Sequence, residues 1–256
     1  MWRATPPSQS EVRLLREARE KFDLRPLVIH VNYLVNLAST DPVIRAKSID
    51  AFRGELQRAR MIGAEYLVVH PGSYRGQTLE QGMHAFVAGL GQAAAGLDLN
   101  GTTVLVENTV GCGNQIGCRF EELRTIYDLA VETTELAIGF CLDTCHLLAA
   151  GYDVSTANGL RSAVREADRV LGMANVRVIH TNDSKSPLGS RLDRHEHIGE
   201  GFIGEEGFRR ILAHPKLRSK PFILETPVDK EGDDHRNVEK LKKLCPKSRT
   251  TTTASN

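Results

Sequence analysis

Six short apolar runs recur along the chain, each a few residues long and rich in aliphatic or β-branched side chains. This composition, bounded by polar or glycine-containing segments, is typical of β-strands that are buried on both faces. The predicted strands are Leu27–His30, Tyr66–His70, Thr103–Glu107, Ile138–Asp143, Val176–His180 and Phe222–Glu225.

Amphipathic stretches with helical periodicity lie between the runs, for example Asp41–Met61 and Ser155–Leu171, and a further helix is expected over Ser8–Phe22. Strands that alternate with helices predict parallel βαβ units. The fold class is therefore α/β, a TIM-type (β/α) barrel. A closed barrel of this type has about eight strands, whereas six are predicted here.

No internal repeat or linker divides residues 1–246, which are expected to form a single barrel domain with its site at the C-terminal strand ends. The remainder, residues 247–256, reads KSRTTTTASN. This polar stretch of low complexity is typical of a disordered tail.

Composition narrows the class of protein. The chain has 256 residues and a net charge of +1, without the strong basic excess of a protein that coats nucleic acid. Contact with nucleic acid would therefore depend on local positive charge or on bound metal ions. Five cysteines without a CxxC pair argue against a disulfide framework. No apolar run is long enough to cross a bilayer, and a cytoplasmic location is expected.

All six predicted strands end on a residue that can bind a metal ion. Because the C-terminal ends of parallel barrel strands converge on one face, these side chains should share one cavity. Unpaired carboxylates crowded together would repel one another by roughly several kcal/mol unless cations lie between them. The residues are His30, His70, Glu107, Asp143, His180 and Glu225.

Three further residues extend this set. His146 follows Asp143 by three positions, and Asp193 and His195 lie in a loop after the fifth strand. Five imidazoles and four carboxylates favour zinc or manganese, and nine ligands suit two or three ions. Several ions in one cleft suggest hydrolysis of a phosphate ester. Cys141 and Cys145, which lie near this face, are expected to be packing residues.

With these residues in view, the chain resembles the endonuclease IV family of apurinic/apyrimidinic endonucleases, from Trp2 to about Leu244. The most specific feature is the order DTCH, NDSK and then DRHxHxGEG. The matching stretches are HVNYLVNL (30–37), HPGS (70–73), VENTVGCGNQIG (106–117), LDTCHLLAAGYD (142–153), HTNDSKSPLGSRLDRHEHIGEG (180–201) and ILETP (223–227).

The resemblance implies three zinc ions and a reaction. One ion would take His30, His70 and Glu107; the second Glu107, Asp143, His180 and Glu225; the third His146, Asp193 and His195. The implied reaction is hydrolysis of the phosphodiester 5′ to an abasic site in duplex DNA, as in base excision repair. Glu107 would bridge two ions, and Glu225 would help to orient or deprotonate the attacking hydroxide.

The resemblance also implies DNA contacts. The family bends DNA and turns the abasic nucleotide out of the stack, which costs less once the base is lost. Tyr33 and Leu34 match the loop that enters the duplex. The candidate phosphate contacts are Arg75, Lys185, Arg191 and Arg194.

Relatives have a strand, a helix and a second strand before the position of Trp2, so the barrel is expected to be open. A monomer is expected unless another chain covers the open edge. Two other functions remain in view. The first is a divalent-metal sugar isomerase or epimerase on a related barrel, against which the DRHEH loop argues. The second is a non-catalytic protein that binds damaged DNA.

Overall fold

The computed structural model describes residues 5–99 and 101–246. Its principal sheet has six strands: β1 (Val28–His30), β2 (Tyr66–Val69), β3 (Thr103–Glu107), β4 (Ile138–Asp143), β5 (Val176–His180) and β8 (Phe222–Ile223). They pair in the order β1-β2-β3-β4-β5-β8, and every pair is parallel. All six predicted strands are confirmed, although β2 ends at Val69, before His70, and β8 ends at Ile223, before Glu225.

One helix precedes β1, and helices follow the strands of the sheet, as parallel pairing requires. They are α1 (Gln9–Lys21), α2 (Pro42–Ile62), α3 (Leu79–Ala94), α4 (Phe120–Thr133), α5 (Thr144–Ala150), α6 (Ala157–Val170), α7 (Gly204–Ala213) and α8 (Asp233–Leu244). The three predicted helices correspond to α1, α2 and α6, so the alternating strand and helix pattern is confirmed.

Side-chain hydrogen bonds mark where several helices begin. Asp41 accepts from the amides of Val43 and Ile44 at the start of α2, and Thr78 forms a capping box with Gln81 at the start of α3. Such caps satisfy backbone N–H groups that have no partner inside the helix. They also fix the points at which the loops after β1 and β2 end.

A short antiparallel hairpin, which the hydrophobic pattern did not indicate, follows β5. It consists of β6 (Asp183–Ser184) and β7 (His195–Glu196). The hairpin places His195 beside the C-terminal ends of the strands. Its loop contains Asp193.

The apolar residues form two groups. The larger fills the space between the sheet and the helices, with fully buried phenylalanines such as Phe52, Phe86 and Phe140. The smaller lies inside the curved sheet, where Val68, Leu105, Cys141 and Val178 of four adjacent strands are buried against one another. This inner layer supports the site described next.

Within the described residues the sheet is open, because β1 and β8 each pair with one strand of it and not with each other. The TIM-barrel architecture is confirmed, in a form with six strands. The predicted disorder of residues 247–256 lies outside the described residues. None of the described helices is both long and apolar enough to cross a membrane.

Candidate metal centre

The site lies directly above the inner apolar layer. Side chains two residues apart on a strand point to the same face, so Val68, Leu105, Cys141 and Val178 lie one step below the predicted ligands at positions 70, 107, 143 and 180. A closely packed apolar floor therefore holds the polar side chains at one level.

Glu107 occupies the centre of this polar layer and is completely buried. Its Oε1 lies 2.7 Å from Nδ1 of His180, and its Oε2 lies 2.9 Å from Nε2 of His30 and 3.4 Å from Nε2 of His70. Three imidazoles therefore contact one carboxylate. Such a carboxylate can serve two cations, one at each oxygen.

A second carboxylate group adjoins the first. Glu107, Asp143, His180 and Glu225 offer donor atoms that all lie within 4.8 Å of one another, which is close enough to surround one ion. Glu225 Oε2 is 3.2 Å from His180 Nδ1, and the Glu225 side chain is 31% exposed. Glu225 is therefore the member of this group that faces the open cleft.

The third group lies at the helix and hairpin beyond β4 and β5. His146 Nε2 is 3.3 Å from Asp193 Oδ1, and His195 Nε2 is 3.4 Å from the same oxygen. Asp143, His146 and His195 also offer three donor atoms within 4.8 Å of one another. The structure thus brings His146, Asp193 and His195 to the edge of the strand-end cluster.

The imidazole rings form one continuous set. Ring centroids are 5.1 Å apart for His30 and His70, 5.6 Å for His70 and His146, and 5.5 Å for His146 and His195. All nine predicted ligand residues therefore lie in one cluster. His70 joins the set through Glu107, 3.4 Å away, whereas each of the other eight predicted ligands belongs to a group whose donor atoms all lie within 4.8 Å of one another.

The histidines are oriented by backbone carbonyl groups. The Nδ1 atoms of His30, His146 and His195 lie 2.7, 2.9 and 2.9 Å from the carbonyl oxygens of Val31, Asn108 and Glu225. When Nδ1 donates a hydrogen bond to a carbonyl oxygen, Nε2 carries the lone pair that a metal ion needs.

Three buried imidazole nitrogens in the described part of the chain form no hydrogen bond: His70 Nδ1, His146 Nε2 and His195 Nε2. The last two lie 3.3 and 3.4 Å from Asp193 Oδ1, without the geometry of a hydrogen bond. A buried polar atom without a partner costs free energy, roughly 1–3 kcal/mol. For His146 and His195 the atom concerned is the one that their carbonyl contacts leave free for a metal ion. The residues present therefore fit bound cations, and their nitrogen and oxygen donors suit zinc or manganese.

The electrostatics of the site point the same way. Burial acts to raise the pKa of Glu107, but the imidazoles, His180 foremost, hold that pKa well below its usual value. Burial acts to lower the pKa of His146, but Asp143, Asp193 and Glu107 raise it to about 10. The carboxylates therefore stabilise positive charge on the neighbouring imidazoles, and a bound metal ion would supply that charge in place of a proton.

Two residues that the strand-end pattern missed, Asn182 and Thr144, hold the ligands in place. Asn182 is fully buried; its Nδ2 donates to Asp143 Oδ2 at 2.5 Å, and its Oδ1 accepts from the Glu225 amide at 2.7 Å. Thr144 Oγ1 donates to the Asn182 carbonyl oxygen at 2.7 Å and accepts from its amide at 3.0 Å. Asn182 belongs to the NDSK motif, but the sequence alone does not indicate which ligands its side-chain amide contacts.

The predicted DNA-contacting residues lie on loops at the same end of the barrel. Tyr33 is 85% exposed, whereas Leu34 is half-buried. Arg75 and Lys185 are exposed. Arg191 and Arg194, also exposed, donate to the carbonyl oxygens of Gly111 and Asp193. These two arginines therefore contribute to holding the loops as well as to their positive charge.

Cys141 and Cys145 are both completely buried. Cys141 belongs to the apolar floor, and burial raises its pKa to about 12. Burial also raises the pKa of Cys145 to about 12, and its Sγ lies 3.7 Å from the Arg194 carbonyl oxygen. Cys145 nevertheless has Asp193 and His195 within ligand reach. The high pKa favours the neutral thiol, as expected for packing residues.

Comparison with known proteins gives consistent matches along the chain. Residues 1–246 match the family described as xylose isomerase-like TIM barrel. A protein of Solibacter usitatus named "Probable endonuclease 4" is 67% identical over 245 residues, which is 96% of this chain and 84% of that protein.

Solved structures give the same result. The crystal structure of endonuclease IV from Thermus thermophilus has a TM-score of 0.82 and 38% identity, covering 95% of this chain and 84% of that one. A D-tagatose 3-epimerase-like protein has a TM-score of 0.68 and 20% identity, covering 93% of this chain and 83% of that one, a likeness of fold only.

Proposed function

The chain belongs to the endonuclease 4 family of xylose isomerase-like TIM barrels, and from this membership we propose that it is a zinc-dependent endonuclease of DNA repair. Its substrate is duplex DNA that contains an abasic site. The bond hydrolysed is the phosphodiester on the 5′ side of that site. The observation that carries the proposal is the convergence of five imidazoles and four carboxylates at one end of this barrel.

The nine residues divide into three ligand sets. His30, His70 and Glu107 form the first; Glu107 also belongs to the second, with Asp143, His180 and Glu225; His146, Asp193 and His195 form the third. Zinc is favoured because the donors are imidazole and carboxylate groups at about three to four per ion. When bound, the ions act as Lewis acids on the phosphodiester and lower the pKa of water.

Glu225 is the residue best placed to receive a proton from the attacking water. Its side chain is the most exposed of the three carboxylates in the second group, and Asn182 fixes its backbone through a 2.7 Å hydrogen bond. Proton acceptance in hydrolysis requires a base within hydrogen-bond reach of the nucleophile. Glu107 is completely buried and would hold two cations rather than exchange protons with solvent.

The loop residues supply binding. Tyr33, whose side chain is 85% exposed, offers an aromatic face that can occupy the gap left by a missing base. Arg75, Lys185, Arg191 and Arg194 contact phosphates and set the register of the duplex, and Leu34 enters the duplex together with Tyr33. A net charge of +1 makes these local contacts, together with bound cations, the source of attraction to DNA.

The decisive experiment uses the zinc-loaded chain and a duplex with one tetrahydrofuran residue as a stable abasic analogue. We expect incision on the 5′ side of the tetrahydrofuran, leaving a 3′-hydroxyl, and no incision of the undamaged duplex. Loss of incision after chelation and its return with zinc establish the dependence on metal. Absence of incision by folded, zinc-loaded protein would refute the proposal.

A sugar isomerase or epimerase on the related barrel is the second candidate, because the epimerase-like structure has the same fold. The cluster of His146, Asp193 and His195 argues against it, since sugar isomerisation needs one or two ions and not a third site. About three zinc ions per chain are expected of the nuclease, and one manganese ion of the isomerase. Binding of damaged DNA without incision would instead indicate a non-catalytic binding protein.

A further inference from the structure

Asp183 is a buried carboxylate that lies outside the nine predicted ligands. It follows His180 by three residues and begins β6, the first strand of the hairpin. Its side chain is fully buried. A buried carboxylate is costly unless hydrogen bonds satisfy it, so its partners indicate what it does.

Five backbone N–H groups donate to this one side chain. One belongs to the next residue of β6, two belong to the turn after β7, and two lie at the beginning of α7. The donors are Ser184 at 2.8 Å, Gly199 at 3.0 Å, Gly201 at 3.0 Å, Ile203 at 2.9 Å and Gly204 at 3.2 Å.

The contacts tie the turn at residues 199–204 to the hairpin. Asp183 is the register partner of Glu196, and Ser184 is the partner of His195. The Ser184 carbonyl oxygen accepts from the Phe202 amide at 2.9 Å, and the Lys185 amide donates to the Arg194 carbonyl oxygen at 2.9 Å. Asp183, on the first strand of the hairpin, thus anchors the turn that follows the second strand, close in sequence to His195.

The first turn of α7 depends on the same carboxylate. The residue that precedes α7, Ile203, has no side-chain oxygen that could cap the helix, and no such cap is formed. Asp183 accepts from the amides of Ile203 and Gly204 in its place, and its negative charge lies at the positive end of the helix dipole. The carboxylate of Asp183, on β6, therefore caps a helix that begins only after the hairpin has ended.

The turn is also shaped to admit the carboxylate. A Cβ atom added to Gly201 would lie 2.3 Å from the Ser184 carbonyl oxygen and 2.6 Å from Asp183 Oδ1. Neither backbone nor carboxylate has room for it. The absence of a side chain at Gly201 therefore allows the Asp183 carboxylate to approach the turn.

We propose that Asp183 is the positioning residue of the third ion's ligand set: its carboxylate holds the β6–β7 hairpin at the height where His195 and Asp193 meet His146. This inference rests on the three-ion site of the proposed function. It assigns to Asp183 no contact with the ion or the substrate. Partners that orient metal ligands commonly change metal affinity by about 10- to 100-fold when they are removed.

The test compares zinc binding by the full chain, three variants and a His195→Ala reference. Asp183→Asn keeps the size of the side chain but turns an amide N–H₂ toward backbone donors, and Gly201→Ala disturbs the same contact from the other side. Asp153→Asn is the matched control, because its carboxylate also accepts from two amides and two hydroxyls, all within residues 153–156.

Zinc per chain is measured by mass spectrometry at buffered free zinc, and folding is followed by circular dichroism. We expect three ions in the wild type and in Asp153→Asn. In Asp183→Asn and Gly201→Ala the third ion should bind at least about tenfold more weakly, giving two ions per chain, as in a His195→Ala reference. The affinities of the other two ions should stay within about threefold of wild type, below the range expected for a lost positioning partner.

Three ions in both variants, bound as tightly as in the wild type, would overturn the assignment of Asp183 and leave the proposed function intact. Loss of all ions, or unfolding of both variants while the control folds, would also contradict it, because the effect would not be selective. A wild type that incises the tetrahydrofuran duplex with only two ions would refute the third site. A wild type without incision would instead contradict the proposed function.

Discussion

Asn182→Ala tests how the ligands are held. The substitution removes the donor to Asp143 Oδ2, 2.5 Å away, and the acceptor of the Glu225 amide, 2.7 Å away. The Asn182 side chain, which contacts both partners, is fully buried. Asp143 and Glu225 would remain, but without the side chain that sets their separation.

The magnitude follows from these two contacts. A buried polar group left without a partner costs about 1–3 kcal/mol, so two such groups should lower the free energy of unfolding of the metal-free chain by about 2–6 kcal/mol. Because Asp143 and Glu225 belong to one ligand set, the zinc affinity of that set should fall by roughly 10- to 100-fold.

Two assays measure these effects separately. Urea denaturation of the metal-free chain gives the free energy of unfolding, and titration with a zinc indicator gives the affinities. Asn175→Ala is a matched control, because the Asn175 side chain donates to the Leu171 carbonyl oxygen at 2.8 Å, at the opposite end of β5. It should cost about 1 kcal/mol and leave zinc affinity unchanged. An Asn182→Ala chain with wild-type zinc affinity would refute the reasoning.

Three other outcomes are expected. Glu225→Gln should abolish incision of a tetrahydrofuran duplex while gel-shift affinity stays within about threefold, because the amide cannot accept a proton as the carboxylate does; undiminished incision would remove Glu225 from the reaction. Tyr33→Ala should change the free energy of unfolding by less than about 0.5 kcal/mol, since the side chain is 85% exposed, yet weaken binding of abasic relative to intact duplex, as competition assays would show; equal loss for both duplexes would argue against insertion. Cys141 and Cys145, completely buried, should resist a thiol reagent in the native chain and react once urea unfolds it; rapid native labelling at either position, located by peptide mass mapping, would contradict their role in packing.

The strand ends could be predicted because two strong signals coincide in them. Val176–His180 and Ile138–Asp143 are continuous apolar runs that end abruptly on an ionisable residue, and parallel packing leaves only one face on which such residues can meet. The same regularity placed Cys141 one step below Asp143, where the structure has it. His146 was predictable because it follows Asp143 by three positions, at the start of a helix.

The supporting residues could not be predicted in the same way. Asn182 and Asp183 act through hydrogen bonds to Glu225, Asp143 and the turn at 199–204, all far away in sequence. Polar residues that follow a strand more often face solvent or cap a turn, so their type alone carries little information. The two-residue strands of the hairpin are likewise too short for any periodicity to indicate.

The loops around the site could be predicted only in part. Tyr33 was identified from a motif, and its exposure agrees with a role at the surface. Arg191 adopts a positive φ of 55°, a conformation that its residue type does not predict. The hydrogen bond of its guanidinium to the Gly111 carbonyl oxygen connects two loops that no motif or periodicity relates to each other.

The most direct measurement of the central claim is zinc-edge anomalous scattering from crystals of the zinc-loaded chain. Three peaks are expected, one for each ligand set, with Glu107 between the first two and Asp193 beside the third. Peaks at other positions, or nine side chains that leave the shared cavity when zinc is present, would contradict it.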